Sequence, residues 1–153
     1  MEAIIKHVLF VCTGNTCRSP MAEALFRAKT DKNIEGKSAG IYAMPGMPAS
    51  DGTMKVLKER NITLKHDSKP LTEELVDWAD IILTMTKNHH EMTVQTYPKA
   101  ADKIFTLKEF ALDANTDMGD IQDPIGGSTD TYRATAEEMD WLLEAALHKI
   151  KKF

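Results

Sequence analysis

The chain has 153 residues, of which 42% are hydrophobic, with a formal net charge of −4 and a pI near 5.7. This length predicts one domain, residues 1–153, and the acidic balance excludes the diffuse basic surface with which nucleic-acid-binding proteins neutralise phosphates. The two cysteines, Cys12 and Cys17, are too few for a secreted disulfide framework, so we expect a protein of the reducing cytoplasm. No apolar run approaches the roughly 20 residues that span a bilayer, which predicts a soluble chain.

Hydrophobic patterning predicts strands that alternate with helices. A strand over 4–11 ends at a glycine-containing loop, and a helix follows, with Ser19 as a favoured N-cap and Pro20 at the first helical position. Further strands are expected near 34–39, 80–85 and 103–107, with helices over 49–60, 71–79, 87–97 and 130–151 and a long loop over 113–127. This alternation indicates an α/β fold with a parallel sheet and helices on both faces.

The segment after the first strand is typical of an anion-binding loop. In an open parallel sheet, ligands bind beyond the carboxyl ends of the strands, where this segment lies. Successive backbone amides that lead into a helix N-terminus favour a tetrahedral oxyanion. Gly14 permits the tight turn, and Asn15 tolerates a left-handed conformation. We therefore expect a phosphate to bind the loop residues, which are Cys12, Thr13, Gly14, Asn15, Thr16, Cys17, Arg18 and Ser19.

Two side chains make this loop reactive. Cys12 and Arg18 are separated by five residues, the C-x5-R spacing. The amides, the helix dipole and the guanidinium favour the thiolate, the attacking form of a thiol whose ordinary pKa is near 8.5. The planar fork of Arg18 can hold two phosphoryl oxygens in the transition state, and Ser19 can donate to the sulfur. A merely structural, buried Cys12 is the alternative, and the conjunction of strand, cysteine, glycine, arginine and capped helix argues against it.

Two other kinds of site are weaker interpretations. The phosphate loop of nucleotide hydrolases needs a lysine followed by Ser or Thr, and this segment has none. The pair His89–His90 invites a metal interpretation, but no third ligand lies at a recognisable spacing. We therefore predict a solvated helix face at these histidines, and neither a metal nor a cofactor.

The sequence of residues 8–23, VLFVCTGNTCRSPMAE, resembles the signature of the low-molecular-weight protein-tyrosine phosphatase family. The similarity extends to residues 38–40, to residues 79–85 and to Asp123–Pro124. It implies a three-layer α/β/α sandwich with a four-stranded parallel sheet. It also implies a metal-independent, two-step reaction through a phosphocysteine that releases inorganic phosphate, with Ser38 and His66 bracing the loop.

A proton donor is expected near the loop, because expulsion of an amine or an alkoxide requires a proton at the leaving atom. In the family, the aspartate of a late Asp-Pro loop supplies this proton and then activates the water that hydrolyses the phosphocysteine. The resemblance implies this role for Asp123. By itself Asp123–Pro124 is also a common turn start, and Asp117 and Asp120 are rival acids.

Two positions bear on which phosphorylated amino acid the protein accepts as substrate. They are Thr16 in the loop and Ile125 after the Asp-Pro pair. Tyrosine-directed members carry a bulkier aliphatic at the first and aromatics after the second. Here Thr16 is small and polar, and Ile125 is followed by two glycines. This combination resembles the bacterial protein-arginine phosphatases, although those commonly carry an aromatic in place of Ile125. The Thr16 hydroxyl and the Asp123 carboxylate can both accept hydrogen bonds from a phosphoguanidinium, whereas a Thr16 that only packs the loop is the alternative.

We therefore expect a cytoplasmic phosphatase that removes phosphate from phosphoarginine in proteins, with a tyrosine phosphatase as the alternative. An arsenate reductase needs cysteines downstream of the loop, and none follows Cys17. A non-catalytic phosphate-binding module would lack the nucleophile or the acid, and a cysteine-phosphorylated sugar-transport subunit has less need of Arg18 and Asp123. A reversible disulfide between Cys12 and Cys17 is a further hypothesis, with an inert thiol at Cys17 as its alternative.

Overall fold

The computed structural model describes residues 5–30, 33–113 and 120–152. Within these ranges one sheet is built from β1 (His7–Cys12), β2 (Glu35–Gly40), β3 (Ile81–Thr84) and β4 (Ile104–Thr106). The strand order is β2-β1-β3-β4, and all neighbours are parallel. Since β2 and β3 lie on opposite sides of β1, the strand order reverses there. The carboxyl end of β1 is therefore the place where such sheets bind ligands.

The described helices surround this sheet. They are α1 (Arg18–Lys29), α2 (Asp51–Glu59), α3 (Glu73–Trp78), α4 (Lys87–Thr96), α5 (Leu107–Leu112) and α6 (Thr129–Ile150), with a 3₁₀ helix over Pro98–Lys103. Helices α2 to α6 each follow a Ser or Thr whose hydroxyl accepts a hydrogen bond from an amide of the first turn. No helix in these ranges is long and apolar enough to cross a membrane.

The sheet is buried on both faces. Phe10 of β1 packs in a core with α1, α2, α5 and α6, whereas Leu9 and Val11 pack in a second core with α3, α4 and the 3₁₀ helix. Strands that are covered on both sides have continuous apolar runs, as β1 and β3 do. The predicted three-layer α/β/α sandwich with a four-stranded parallel sheet is confirmed.

Two local predictions are wrong. The sequence pattern predicts no element over 108–112, whereas α5 forms there because the Thr106 hydroxyl caps it and Leu107 and Phe110 are buried. Ser19 was expected as the N-cap of the first helix, but α1 begins at Arg18 and Cys17 is its N-cap. The Ser19 hydroxyl lies instead 2.8 Å from the Cys12 sulfur, so it has a partner other than the helix amides.

Candidate active site

The loop between β1 and α1 curls around an open helix N-terminus. Asn15 has a φ of 57°, the left-handed conformation that was predicted for it. No side chain caps α1, in contrast to the five other described helices. The first amides of α1 therefore keep their hydrogen-bonding capacity for an anion, which the positive end of the helix dipole also favours.

Gly40, the last residue of β2, allows this loop to lie against the sheet. A Cβ atom at Gly40 would be 2.5 Å from the Thr13 carbonyl oxygen and 2.8 Å from the Asn15 nitrogen. Just beyond it, the Tyr42 amide donates to the same Thr13 carbonyl at 2.9 Å. A side chain at position 40 would therefore displace the loop from the edge of the sheet.

Cys12 ends β1 and is only 3% exposed. Its sulfur lies 2.8 Å from the Ser19 hydroxyl oxygen, which itself accepts a hydrogen bond from Asn15 Nδ2 at 2.8 Å. Because Asn15 already donates to this oxygen, the Ser19 proton is free to point at the sulfur. The Ser19 hydroxyl can therefore donate a hydrogen bond to the Cys12 sulfur.

Asn15 is also held by three residues from two other segments. Its Nδ2 atom also donates to the Ser38 hydroxyl at 2.9 Å, and its Oδ1 atom accepts from the Lys69 amide at 3.0 Å. The His66 ring contacts the Asn15 carbonyl oxygen through Nε2 at 2.6 Å, and Ser38 donates to the buried carboxylate of Glu23. Ser38 and His66 thus contact the loop in the manner that the family resemblance implies.

Arg18 joins the loop to the segment that carries Asp123. The arginine is 7% exposed, and its Nη1 atom donates to the Ile121 carbonyl at 3.0 Å. Its Nη2 atom lies 3.5 Å from Asp123 Oδ2, while 44% of the Asp123 side chain is exposed. The structure therefore brings together the loop of Cys12 and Arg18 and the predicted acid.

Asp120 has a different environment from Asp123. Its Oδ1 atom accepts a hydrogen bond from the Lys87 amide at the start of α4, at 2.8 Å. The next residue, Ile121, donates its amide to the Met85 carbonyl at 3.0 Å. Asp120 thus fixes the segment to α4, and Asp123 is the carboxylate that pairs with Arg18. Asp117 lies outside the described residues.

His89 contacts the predicted anion-binding loop, which the sequence pattern does not indicate, and the prediction of a solvated helix face there is wrong. The first turn of α4 packs against the loop between β1 and α1, so His89 is 4% exposed and its Nε2 atom lies 2.7 Å from Thr13 Oγ1. Burial above all, and then the charge of Arg18, lowers the pKa of His89 to about 4. The sequence signal that could have indicated this burial is the position of α4 directly after β3, at the edge of the sheet where ligands bind.

No group of three or more His, Cys, Asp or Glu in the described part of the chain could hold a metal ion.

Thr16 and Ile125, the two positions predicted to bear on specificity, differ in their exposure. Thr16 is partly buried, and its hydroxyl oxygen makes a long contact of 3.9 Å with the Cys17 sulfur. Cys17 is a buried free thiol whose sulfur lies 3.6 Å from the Tyr132 hydroxyl. Ile125 is 66% exposed and is followed by Gly126, which has a φ of 79°. No aromatic residue stands in this turn, as the sequence indicates.

Comparison with known proteins agrees with this geometry. Residues 7–153 match the family model described as low molecular weight phosphotyrosine protein phosphatase. A protein-arginine-phosphatase of Geobacillus stearothermophilus is 47% identical over 144 residues, which cover 94% of this chain and 95% of the relative. A low molecular weight protein tyrosine phosphatase structure from T. tengcongensis has a TM-score of 0.88 and 46% identity, covering 94% of this chain and 99% of that one. A structure of a YwlE arginine phosphatase mutant with a phosphorylated active-site serine has a TM-score of 0.90 and 42% identity, covering 95% and 96%. This chain therefore belongs to the low molecular weight phosphotyrosine protein phosphatase family.

Proposed function

We propose that this protein is a cysteine-dependent protein phosphatase that removes phosphate from phosphoarginine side chains. The observation that carries the proposal is the joint placement of Cys12, the buried Arg18 and Asp123 beside an open helix N-terminus. Family membership supports hydrolysis of a phosphorylated side chain. The relative named as an arginine phosphatase supports the choice of residue.

In the first step, the Cys12 thiolate attacks phosphorus, so that a P–S bond forms and the P–N bond to the guanidino group breaks. The leaving nitrogen takes a proton from Asp123, which lies next to Arg18 at 3.5 Å. The free amides of α1 and the guanidinium of Arg18 stabilise the charge on the phosphoryl oxygens. The guanidinium is already anchored by the Ile121 carbonyl, so it need not reorganise.

In the second step, water attacks the phosphocysteine. The Asp123 carboxylate takes a proton from this water, the P–S bond breaks, and inorganic phosphate leaves with the Cys12 thiolate restored. The Ser19 hydroxyl, at 2.8 Å from the sulfur, stabilises the leaving thiolate. The phosphorylated serine in the active site of the YwlE mutant supports a covalent intermediate on the nucleophile of this fold.

The preference for phosphoarginine is supported by Thr16 and by the absence of an aromatic wall near Ile125. A phosphoguanidinium offers several N–H donors, and the Thr16 hydroxyl, whose contact with the Cys17 sulfur is long at 3.9 Å, can accept from one of them. Ile125 presents no ring on which a phenol could stack. A protein-tyrosine phosphatase is the second candidate, because a relative with that name is 46% identical.

The test compares kcat/KM on two peptides that differ only in carrying phosphoarginine or phosphotyrosine. We expect the wild type to prefer phosphoarginine, Cys12→Ser to abolish turnover of both, and Thr16→Ile to shift the preference toward phosphotyrosine. Sustained turnover by Cys12→Ser would overturn the mechanism. Equal or better phosphotyrosine turnover by the wild type would overturn the arginine assignment and favour the second candidate.

We also propose that residues 1–153 act as one phosphatase domain on phosphorylated proteins in the cytoplasm. A reducing compartment is supported by the chemistry of the site, because the Cys12 nucleophile must stay a free thiol and Cys17 is a second thiol in the same loop.

A further inference from the structure

Thr13 and His89 form a contact that the mechanism above does not use. Thr13 directly follows the nucleophile and is exposed, whereas His89 is buried beneath it on α4. The His89 Nε2 atom and the Thr13 Oγ1 atom are 2.7 Å apart. We propose that the Thr13 hydroxyl donates a hydrogen bond to the phosphoryl group, and that His89 is the positioning residue that directs this hydroxyl. The inference concerns the site of the proposed function and rests on it.

The direction of the hydrogen bond follows from the other ring nitrogen. Among the described residues, His89 Nδ1 is a buried side-chain atom with no hydrogen-bond partner. A neutral imidazole carries its proton on one nitrogen only, and a buried N–H without an acceptor is costlier than a bare lone pair. The proton therefore belongs on Nε2, which donates to Thr13 Oγ1. The hydroxyl then keeps its own proton for another acceptor.

Both partners are held in place by their backbones. The His89 amide donates to the Thr86 hydroxyl at 3.0 Å, and the His89 carbonyl accepts from the Thr93 hydroxyl at 2.7 Å. The Thr13 carbonyl accepts from the Tyr42 amide at 2.9 Å. Because neither residue is free to move, the His89 ring determines which way the Thr13 hydroxyl can donate.

Burial above all, and then the charge of Arg18, favours the neutral form of the His89 ring. Arg18 faces His89 from α1, and Asp120 and Asp123 face it from the segment before α6. Burial and the guanidinium outweigh the two carboxylates, which keeps the ring neutral when the enzyme works near pH 7. A neutral donor fixes the hydroxyl without placing a second buried cation beside Arg18.

The test is a double-mutant cycle with Thr13→Val and His89→Leu. The probes are inorganic phosphate as a competitive inhibitor and a phosphoarginine peptide as substrate. We expect each single variant to raise the Ki of phosphate and to lower kcat/KM by about tenfold or more, as for a lost hydrogen bond to a charged group. The double variant should lose no more activity than Thr13→Val alone, because His89 acts only through the Thr13 hydroxyl.

Two further variants separate positioning from folding. His89→Gln keeps a donor near the Nε2 position and should recover most of the activity. His90→Gln changes the neighbouring residue, whose ring contacts the Ile104 carbonyl instead of the loop, and should match the wild type. The inference would be overturned if the fold-losses of Thr13→Val and His89→Leu multiplied in the double variant. An unchanged phosphate Ki in Thr13→Val would also overturn it.

A spectroscopic measurement on the wild type requires no variant to fold. Long-range ¹H–¹⁵N spectra should show His89 as the neutral tautomer protonated at Nε2, and a proton on Nδ1 would overturn the inference. A wild type that hydrolyses no phosphopeptide would remove the proposed function. The tautomer, and the Kd of inorganic phosphate for the wild type and Thr13→Val measured by calorimetry, would still decide whether Thr13 and His89 act as proposed.

Discussion

The Nη2 atom of Arg18 lies 3.5 Å from Oδ2 of Asp123, although the arginine is buried and almost half of the aspartate side chain is exposed. The other terminal nitrogen of Arg18 is bound to the Ile121 carbonyl. The guanidinium is thus fixed on its protein side and meets the carboxylate on its open side. In the proposed reaction, Arg18 holds the phosphoryl group and Asp123 protonates its leaving atom.

Replacement of this carboxylate is the first prediction. Asp123→Asn keeps the size of the side chain and a polar contact with Arg18, but an amide cannot transfer a proton. We expect kcat on a phosphoarginine peptide to fall by about 10² to 10⁴, the usual contribution of a general acid or base. Steady-state kinetics near pH 7 measures the change.

Asp120→Asn is the matched control for that variant. Asparagine retains the Oδ1 atom that accepts from the Lys87 amide, so the segment stays attached to α4. We expect activity close to that of the wild type. A greater loss in Asp120→Asn than in Asp123→Asn would assign the acid to Asp120 instead.

The place and the conformation of the loop could be predicted because their signals are local. The spacing of Cys12 and Arg18 and the left-handed preference of Asn15 are properties of eight consecutive residues. The N-cap assignment of Ser19 was wrong for a physical reason, since the hydroxyl has a competing partner in the Cys12 sulfur. Propensity alone does not rank two such partners.

Contacts between distant segments could not be predicted from local patterns. Gly40 meets the loop only because β2 pairs with β1 in one register. His89 becomes buried only because α4 starts at the edge where that loop ends. The adjacent pair His89–His90 predicts a solvated helix face. In the structure, however, the two rings contact different segments, Thr13 for His89 and the Ile104 carbonyl for His90.

The second prediction concerns the stability of the loop. Asn15→Ala loses the side-chain contacts with Ser19, Ser38 and Lys69 and places alanine in the left-handed region, which alanine tolerates less well than asparagine. We expect the free energy of unfolding to fall by about 3 kcal/mol, which combines lost buried hydrogen bonds with backbone strain. Urea denaturation followed by circular dichroism measures the loss.

Asn15→Gly separates these two causes. Glycine loses the same hydrogen bonds but adopts a φ of 57° without strain. The glycine variant should be more stable than the alanine variant by about 1 kcal/mol. Equal stability of the two variants would show that the left-handed backbone of Asn15 carries no cost for alanine.

The third prediction follows from the lowered pKa of His89. The pKa is about 4 in the folded protein and 6.5 as the ordinary value, so between these pH values the unfolded chain binds a proton that the folded chain does not. The contribution of neutral His89 to stability is therefore complete above pH 6.5 and is lost as the pH falls toward 4. After allowance for solvent screening, we expect the free energy of unfolding to fall by about 2 kcal/mol over this pH range.

Comparison with His89→Gln isolates this contribution, because all other titrating groups are shared. The difference in unfolding free energy between the two proteins should shrink by that amount between pH 7 and pH 4. Urea unfolding at a series of pH values gives both curves. A difference that stays constant with pH would mean that His89 titrates alike in the folded and unfolded chains.

The last prediction concerns the exposed Ile125 at the site entrance. Ile125→Phe adds a ring on which a planar guanidino group or a phenol can stack, and the substitution costs little because 66% of the residue is exposed. We expect KM to fall by about twofold to fivefold for both phosphopeptides, which corresponds to a stacking or cation–π contact of about 0.5 to 1 kcal/mol. The kcat should stay unchanged, since the substitution alters only the side chain and keeps the Ile125 amide that donates to Asp123 Oδ1 at 3.1 Å. Unchanged KM values for both peptides, at an unaltered melting temperature, would show that the side chain at position 125 does not border the bound substrate.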